Sequence, residues 1–169
     1  MIAMRLEEPE DAAAIRVVHR SAFSGVAEAD LVDALRAAGA GVLSMVAVDG
    51  EVVGHVLYTW AIVETERGEQ VPLLGLAPLA VRPDRQGEGI GTRLIGASLE
   101  WLREEGYAAV VLVGPPDYYP RFGFLPASRY GLEWEMDVPD DVFQAVELSA
   151  GGLAGVRGIV RYRPEFAGV

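Results

Sequence analysis

The chain has 169 residues, of which 51% are hydrophobic and 23% are charged, and it contains neither cysteine nor lysine. This length and composition favour one domain over residues 1–169, with a core that needs no disulfide or metal. The absence of cysteine excludes thiol nucleophiles and cysteine-based zinc sites. The absence of lysine excludes Schiff-base chemistry and a Walker-type phosphate lysine.

The net charge of −11 bears on the partners that the chain can bind. An acidic surface repels phosphate backbones, so we expect neither nucleic acid nor a membrane as partner, and cationic small molecules suit it better. The first residues lack the apolar stretch of a signal peptide, and no apolar run approaches the roughly 18 residues of a membrane span. We therefore expect a cytoplasmic protein.

Hydrophobic periodicity predicts the elements of the first half of the chain. A strand is predicted at about residues 2–6, and a helix opens at Glu8-Pro9 because proline suits a first helical turn. A second helix precedes Gly39. Asp49-Gly50, between apolar runs at 42–48 and 52–63, indicates a hairpin with positive φ at both turn positions.

A strand, a helix and a strand follow in the second half. The strands are predicted at 71–81 and 108–113, the helix at 89–105, and Pro78 should break the pairing of the first strand. Such a crossover makes its two strands parallel. The predicted fold class is therefore α/β, with a mixed, mostly antiparallel sheet of about 6–7 strands flanked by helices. Residues 125–169 show a weaker hydrophobic periodicity, so their elements are not predicted.

The segment at 82–93 joins a buried strand to the amphipathic helix and is rich in glycine. Gly87, Gly89 and Gly91 alternate, so the main chain can approach a ligand closely. The free N–H groups and the dipole of the helix start would favour a phosphate there. The spacing departs from the Gly-x-Gly-x-x-Gly dinucleotide fingerprint. A glycine-rich turn without a ligand is the alternative.

This segment resembles a signature of the GNAT superfamily of acyl-CoA-dependent N-acyltransferases. Arg85-Gln86-Gly87-Glu88-Gly89-Ile90-Gly91 is similar to the family pattern Arg/Gln-x-x-Gly-x-Gly/Ala. The stretch Leu76-Ala77-Pro78-Leu79-Ala80-Val81-Arg82-Pro83 resembles the bulged fourth strand of the family. The specific motifs lie within residues 76–124, and the tail at 158–166 resembles a bacterial subgroup of predicted N-acetyltransferases.

The resemblance implies the GNAT fold, acetyl-CoA as co-substrate and no metal. It also implies that main-chain groups of Leu79, Ala80 and Val81 hold the pantetheine and the acyl carbonyl. The residues implied in binding the coenzyme pyrophosphate are Gln86, Gly87, Glu88, Gly89, Ile90, Gly91 and Thr92.

A second motif, Tyr119-Pro120-Arg121-Phe122-Gly123-Phe124, resembles the family's Tyr-x-x-x-Gly-Phe. The resemblance puts Tyr119 at the general-acid position, where a phenol protonates the leaving thiolate. Tyr118 takes this role if the register slips by one, and both tyrosines are packing aromatics in the plainer interpretation. Gly114-Pro115 stands where many members of the family carry an asparagine.

The general base and the acceptor are less defined. His55 in a strand, Glu64 and Glu66 after it, and Glu28 on the second helix are the candidates for base or substrate contact. His19 is the other histidine, and the two show no metal-ligand spacing.

We expect an N-acetyltransferase that moves an acetyl group from acetyl-CoA to a small-molecule or peptide amine by direct attack. A non-catalytic acyl-CoA-binding or sensing module and a pure interaction domain are the alternatives. Proteins that resemble this family often form homodimers, so a homodimer is a possible partner arrangement.

Overall fold

Three α-helices and nine strands form the regular structure, which a computed structural model describes over all 169 residues. The helices are α1 (Ala12–Ala22), α2 (Ala27–Ala37) and α3 (Ile90–Glu104). The strands are β1 (Ala3–Leu6), β2 (Gly41–Asp49), β3 (Glu51–Thr65), β4 (Gln70–Val81), β5 (Ala109–Val113), β6 (Leu125–Pro126), β7 (Leu132–Trp134), β8 (Phe143–Glu147) and β9 (Gly158–Arg161). None of the helices combines the length and the apolarity needed to cross a membrane.

The strands pair into a mixed sheet, and the predicted fold class is confirmed. The main path has the order β1-β2-β3-β4-β5-β8-β6, while β9 pairs with β3 and β7. Most pairs are antiparallel, and β4 and β5 are the predicted parallel pair, joined by α3. The sheet has nine strands instead of 6–7, because the region after residue 124 forms four short ones.

The chain forms two compact units, each assembled from separate segments. The first unit comprises Met1–Thr59, Ala77–Ser98 and Pro164–Val169. It contains β1, β2, α1, α2 and parts of β3, β4 and α3. Its core lies where α1 and α2 meet the strands, and its largest members are Ile15, Leu31, Leu35 and Leu57.

The second unit comprises Trp60–Leu76 and Leu99–Arg163. It contains β5 to β9 together with the remaining parts of β3, β4 and α3. Its core is formed by small aliphatic residues with a few larger ones, among them Leu73, Leu132, Phe143 and Leu153. The prediction of a single domain over residues 1–169 stays a prediction.

One turn and one proline show how local sequence shapes the strands. The Asp49-Gly50 hairpin is confirmed, but only Gly50 has a positive φ, of 74°. The expected pair of positive φ values is therefore wrong, and a register shift between Ala47 and Val48 accommodates the turn instead. The parallel pairing of β4 with β5 is limited to Leu74 and Gly75. It ends before Pro78, which has no N–H to donate.

Within the first unit, Gly54 in β3 allows the start of α3 to pack closely on the sheet. A Cβ at Gly54 would lie 3.0 Å from Cδ1 of Leu94 and 3.3 Å from Cγ2 of Ile90. One turn beyond, the buried hydroxyls of Tyr58 and Ser98 lie 2.7 Å apart in a hydrogen bond. These contacts fix the helix, and with it the glycine-rich segment that precedes the helix.

We expect Gly54→Val to destabilise the fold by about 1–3 kcal/mol, because the added methyls would be forced against α3. The matched control is Gly41→Val, since Gly41 also lies in a strand, is exposed, and has only Leu57 at an ordinary contact distance of 3.4 Å. The control should change stability by no more than about 0.5 kcal/mol. Urea unfolding measures both, and equal stability of the two variants would contradict the close packing.

Candidate functional site

The glycine-rich segment of the first unit has the backbone that its sequence indicates. Gly87 and Gly89 have φ values of 82° and 80°, which other residues rarely adopt. A Cβ at either position would meet no atom within 4 Å, so conformation rather than crowding requires glycine here. The first helical bond runs from the Arg93 N–H to the Gly89 carbonyl at 3.0 Å. The amides of Ile90 and Gly91 precede this bond, and the first amides of a helix have no preceding turn to donate to.

Gln86 has a structural contact that the sequence did not reveal. Its side-chain Nε2 donates to the carbonyl of Val81 at 3.0 Å, so the segment is tied back to the end of β4. Its backbone is extended, with φ −70° and ψ 152°. The side chain of Gln86 therefore braces the segment, and its predicted contact with a pyrophosphate stays a prediction.

Most of the charged side chains around this segment are paired with each other. Arg85 contacts Glu88 and Asp49, both at 2.9 Å. Arg82 pairs with Asp84 at 2.6 Å and also with Glu51. The hydrogen bond from Arg85 holds the pKa of Asp49 below its usual range. Arg93, at the other end of the segment, is exposed and donates to the carbonyl of Ile2 at 2.9 Å. Because Arg82 and Arg85 are matched by carboxylates, the segment offers an anion its main-chain amides and the guanidinium of Arg93.

The end of β4 alternates in burial as a half-covered strand should. Ala80 is buried in the core of the first unit, while Leu79 and Val81 are partly exposed. The carbonyl of Val81 accepts from Gln86, and the next amide, of Arg82, donates to the Val53 carbonyl at 2.9 Å. The predicted pantetheine contacts of these three residues stay predictions.

Tyr119 lies in the second unit at the start of a 3-10 helix, Tyr119–Phe122. Its side chain is 8% exposed, and its ring packs edge-on against Tyr118 and Phe124. Burial raises the pKa of Tyr119 to about 12, so the phenol keeps its proton at neutral pH. Gly123 ends the helix with a φ of 94°, which explains the glycine of the motif.

The other candidates for the base lie at two places in the chain, the end of β3 and the start of α2. Glu64 in β3 is exposed and forms an ion pair with Arg161 at 2.7 Å. Glu66 is exposed in the turn after β3. Glu28 is partly exposed in the first turn of α2, in the first unit. No group of three or more His, Cys, Asp or Glu side chains comes together in a way that could hold a metal ion.

His55 lies in the core of the first unit, where it contacts two polar side chains. Its Nδ1 is 2.8 Å from Nε2 of His19, and its Nε2 is 2.7 Å from Oγ of Ser44. Both rings are fully buried, and Nδ1 of His19 has no partner. Burial lowers the pKa of His19 to about 4 and that of His55 well below its usual range. Both rings are therefore neutral, and neither presents a nitrogen to solvent.

Sequence reasoning missed the connection between these histidines, and it missed Gln144. Gln144 is 1% exposed in β8, and its side chain donates to the carbonyls of Gly114 and Pro115 at 3.2 and 3.3 Å. A single polar residue inside an apolar run, as in Phe143-Gln144-Ala145-Val146, is the signal that could have indicated a buried hydrogen-bonding role.

Comparison with known proteins agrees with this fold. The model of the acetyltransferase (GNAT) family matches residues 12–124. The uncharacterized N-acetyltransferase YhbS of Escherichia coli strain K12 is 39% identical over 165 residues, which cover 96% of this chain and 97% of that protein. The uncharacterized N-acetyltransferase YjhQ of the same strain is 40% identical over 142 residues, covering 80% of this chain and 77% of YjhQ.

Two crystal structures extend the comparison. The GNAT family N-acetyltransferase YhbS from Escherichia coli in complex with CoA has a TM-score of 0.91 at 38% identity, covering 98% of this chain and 91% of that one. A GNAT family acetyltransferase from Brucella melitensis in complex with acetyl-CoA has a TM-score of 0.79 at 36% identity, covering 98% of each chain.

Together with the mixed sheet and its crossover helix, these similarities identify the chain as an acyltransferase. The chain belongs to the acetyltransferase (GNAT) family, and the expected resemblance is confirmed.

The buried histidines make stability depend on pH. His19 takes up a proton near pH 6.5 in the unfolded chain and only near pH 4 in the folded one. Its contribution to stability is therefore fully present above pH 6.5 and is lost as the pH falls from 6.5 to 4. We expect the free energy of unfolding to fall by about 2 kcal/mol between pH 7 and pH 5 from His19 alone. The double variant His19→Gln/His55→Gln cannot titrate and should lose this dependence. Urea unfolding at both pH values compares the protein with the double variant. An equal pH dependence of the two would show that the histidine pair takes up no proton on unfolding.

Proposed function

We propose that the chain transfers an acetyl group from acetyl-CoA to a primary amine of a small molecule or peptide. The observation that carries the proposal is the backbone of the segment before α3, where Gly87 and Gly89 have positive φ and the Arg93 amide makes the first bond of the helix, to the Gly89 carbonyl. The N-terminus of such a helix suits a diphosphate. The two similar crystal structures, bound to CoA and to acetyl-CoA, support the same ligand for this chain.

Main-chain groups do the binding in this proposal. The amides of Gly87, Glu88, Gly89, Ile90, Gly91 and Thr92, with Gln86 bracing the segment, receive the pyrophosphate, and the end of β4 at Leu79, Ala80 and Val81 receives the pantetheine arm. The pairing of Arg82 and Arg85 with carboxylates supports this assignment, because those guanidinium groups are already neutralised.

The reaction needs two proton movements. The amine nitrogen attacks the thioester carbon, the tetrahedral intermediate collapses, and the carbon–sulfur bond breaks. Tyr119 gives its phenol proton to the departing thiolate, and with a pKa of about 12 the phenol carries that proton before the step. The attacking amine loses its proton to a base. The enclosed ring of His55 and the ion pair of Glu64 favour Glu28 or Glu66 for that role.

The net charge of −11 supports a cationic amine as the acceptor. An acidic protein attracts cations over a distance of about 8–10 Å at physiological ionic strength. A panel that includes a polyamine, an aminoglycoside, an amino acid and a lysine-containing peptide covers the amine classes, and thiol release from acetyl-CoA reports turnover. Failure of every amine in the presence of tight acetyl-CoA binding would favour the non-catalytic acyl-CoA-binding module.

We expect Gly89→Ala to weaken acetyl-CoA binding about 5- to 30-fold. Alanine is strained by about 1–2 kcal/mol at a positive φ, so the segment should shift away from its binding conformation. The matched control is Gly96→Ala, because Gly96 is exposed within α3 and has no neighbour within 4 Å of its Cβ position. Isothermal titration calorimetry with acetyl-CoA measures both, and unchanged affinity of Gly89→Ala would remove this segment from the site.

We expect Tyr119→Phe to lower kcat about 10²- to 10⁴-fold, because the thiolate would then leave without a proton donor. Its affinity for acetyl-CoA should stay within about twofold, since the ring is retained. The control is Tyr118→Phe, which removes the neighbouring hydroxyl and tests the register that is shifted by one. A large loss with Tyr118→Phe and none with Tyr119→Phe would transfer the role to Tyr118.

A further inference from the structure

The ring of Tyr119 rests on bare main chain at Gly114, just after β5. A Cβ at Gly114 would lie 2.5 Å from Cε2 and 3.1 Å from Cδ2 of Tyr119. Atoms essentially never approach that closely, so any side chain at this position must displace the ring. Gly114 does not have a positive φ, so its backbone conformation would accept other residues. The tyrosine ring, rather than the turn, is therefore what requires glycine here.

Gln144 holds this glycine in place by hydrogen bonds from β8. Its Nε2 donates to the carbonyls of Gly114 at 3.2 Å and Pro115 at 3.3 Å. The N–H of Gly114 donates in turn to the carbonyl of Val142 at 2.9 Å. A fully buried amide side chain needs hydrogen-bond partners, and the Nε2 group of Gln144 finds two of them in the turn at Gly114 and Pro115. The turn is thereby anchored where regular strand pairing has ended.

The remaining sides of the ring are also enclosed. The ring centroid of Phe124 lies 5.8 Å from that of Tyr119, and the centroid of Tyr118 lies 5.0 Å from it, both edge-on. The ring of Tyr119 is therefore packed against Gly114, Tyr118 and Phe124, and 8% of the residue is exposed. Phe124 belongs to the motif that marks the tyrosine, whereas Gly114 and Gln144 lie outside that motif.

We propose that Gly114 and Gln144 are positioning residues for the proton transfer by Tyr119, because together they fix the ring that carries the phenol. This inference rests on the proposed function, in which Tyr119 is the general acid. Neither residue touches the reacting atoms in this proposal. Proton transfer is sensitive to small displacements of its donor, and a shift of about 1 Å can lower the rate about 100-fold.

The first test is kinetic and uses the amine with the highest rate in the panel. Gly114→Ala should lower kcat about 10- to 100-fold and leave the affinity for acetyl-CoA within about twofold. In the Tyr119→Phe background the same substitution should cause no further loss, since no phenol remains to be positioned. Gly96→Ala is the control in both backgrounds. An equal loss in both backgrounds, or no loss in either, would overturn the proposal.

The second test needs no acceptor and follows the ring itself. In protein labelled with [13Cζ]tyrosine, the Tyr119 signal is assigned by its absence in Tyr119→Phe. Gly114→Ala should move this signal and lower the pKa of the phenol from about 12 toward 10, because a displaced ring loses part of the burial that raises its pKa. An unchanged signal and titration would overturn the proposal.

Gln144→Met removes the two hydrogen bonds and keeps the side-chain volume similar. It replaces Gly114→Ala as the test variant if Gly114→Ala does not fold. It should lower kcat and move the Tyr119 signal in the same direction as Gly114→Ala, and an unaltered kcat would overturn the role of Gln144. If Tyr119→Phe itself leaves turnover unchanged while Gly114→Ala still moves the ring signal, the general-acid role fails and the enclosure of the ring stands.

Discussion

The start of α3 is the feature on which the proposed chemistry depends. In a protein without lysine, whose Arg82 and Arg85 are paired with carboxylates, Arg93 is the one side-chain cation of residues 82–93 without a carboxylate partner. Main-chain amides remain, and they converge only if the chain turns sharply before the helix. The positive φ values of Gly87 and Gly89 produce this turn, and the helix dipole adds favourable potential of about 0.3–1 kcal/mol. In the proposal, anion binding is therefore a property of backbone conformation.

Packing in the first unit supports that conformation. The absence of a side chain at Gly54 lets Ile90 and Leu94 approach β3, so the first turns of α3 are held against the sheet. The side chain of Gln86 ties the other end of the segment to β4. The second unit solves a related problem for Tyr119, whose ring rests on Gly114 and Phe124. In both units a glycine is required because a neighbouring side chain occupies the space that a Cβ would take, as at Gly54 and Gly114.

Sequence patterns predicted well those features that depend on local conformation. The glycines of the loop, the Asp49-Gly50 hairpin and the crossover helix all follow from local rules of turn geometry and periodicity. The four short strands after residue 124 have two to five residues each, too few for a period to be recognised.

The roles of several polar residues depend on contacts that sequence alone cannot show. Nothing local distinguishes a strand histidine that acts as a base from one that is hydrogen-bonded in the core, and His55 proves to contact Ser44 and His19 there. Gln144 and Gly114 are 30 residues apart, and their hydrogen bond exists only because β8 pairs with β5. The glycine loop could therefore be found from sequence, whereas the support beneath Tyr119 could not.

The most direct measurement of the central claim is an amide NMR titration with two ligands that differ in the diphosphate. Coenzyme A carries the pyrophosphate, and acetyl-pantetheine lacks it. We predict that coenzyme A shifts the amide signals of residues 87–92 strongly and that acetyl-pantetheine leaves them almost unchanged. Equal shifts with both ligands, or shifts confined to other parts of the chain, would contradict binding of the diphosphate by the amides at the start of α3.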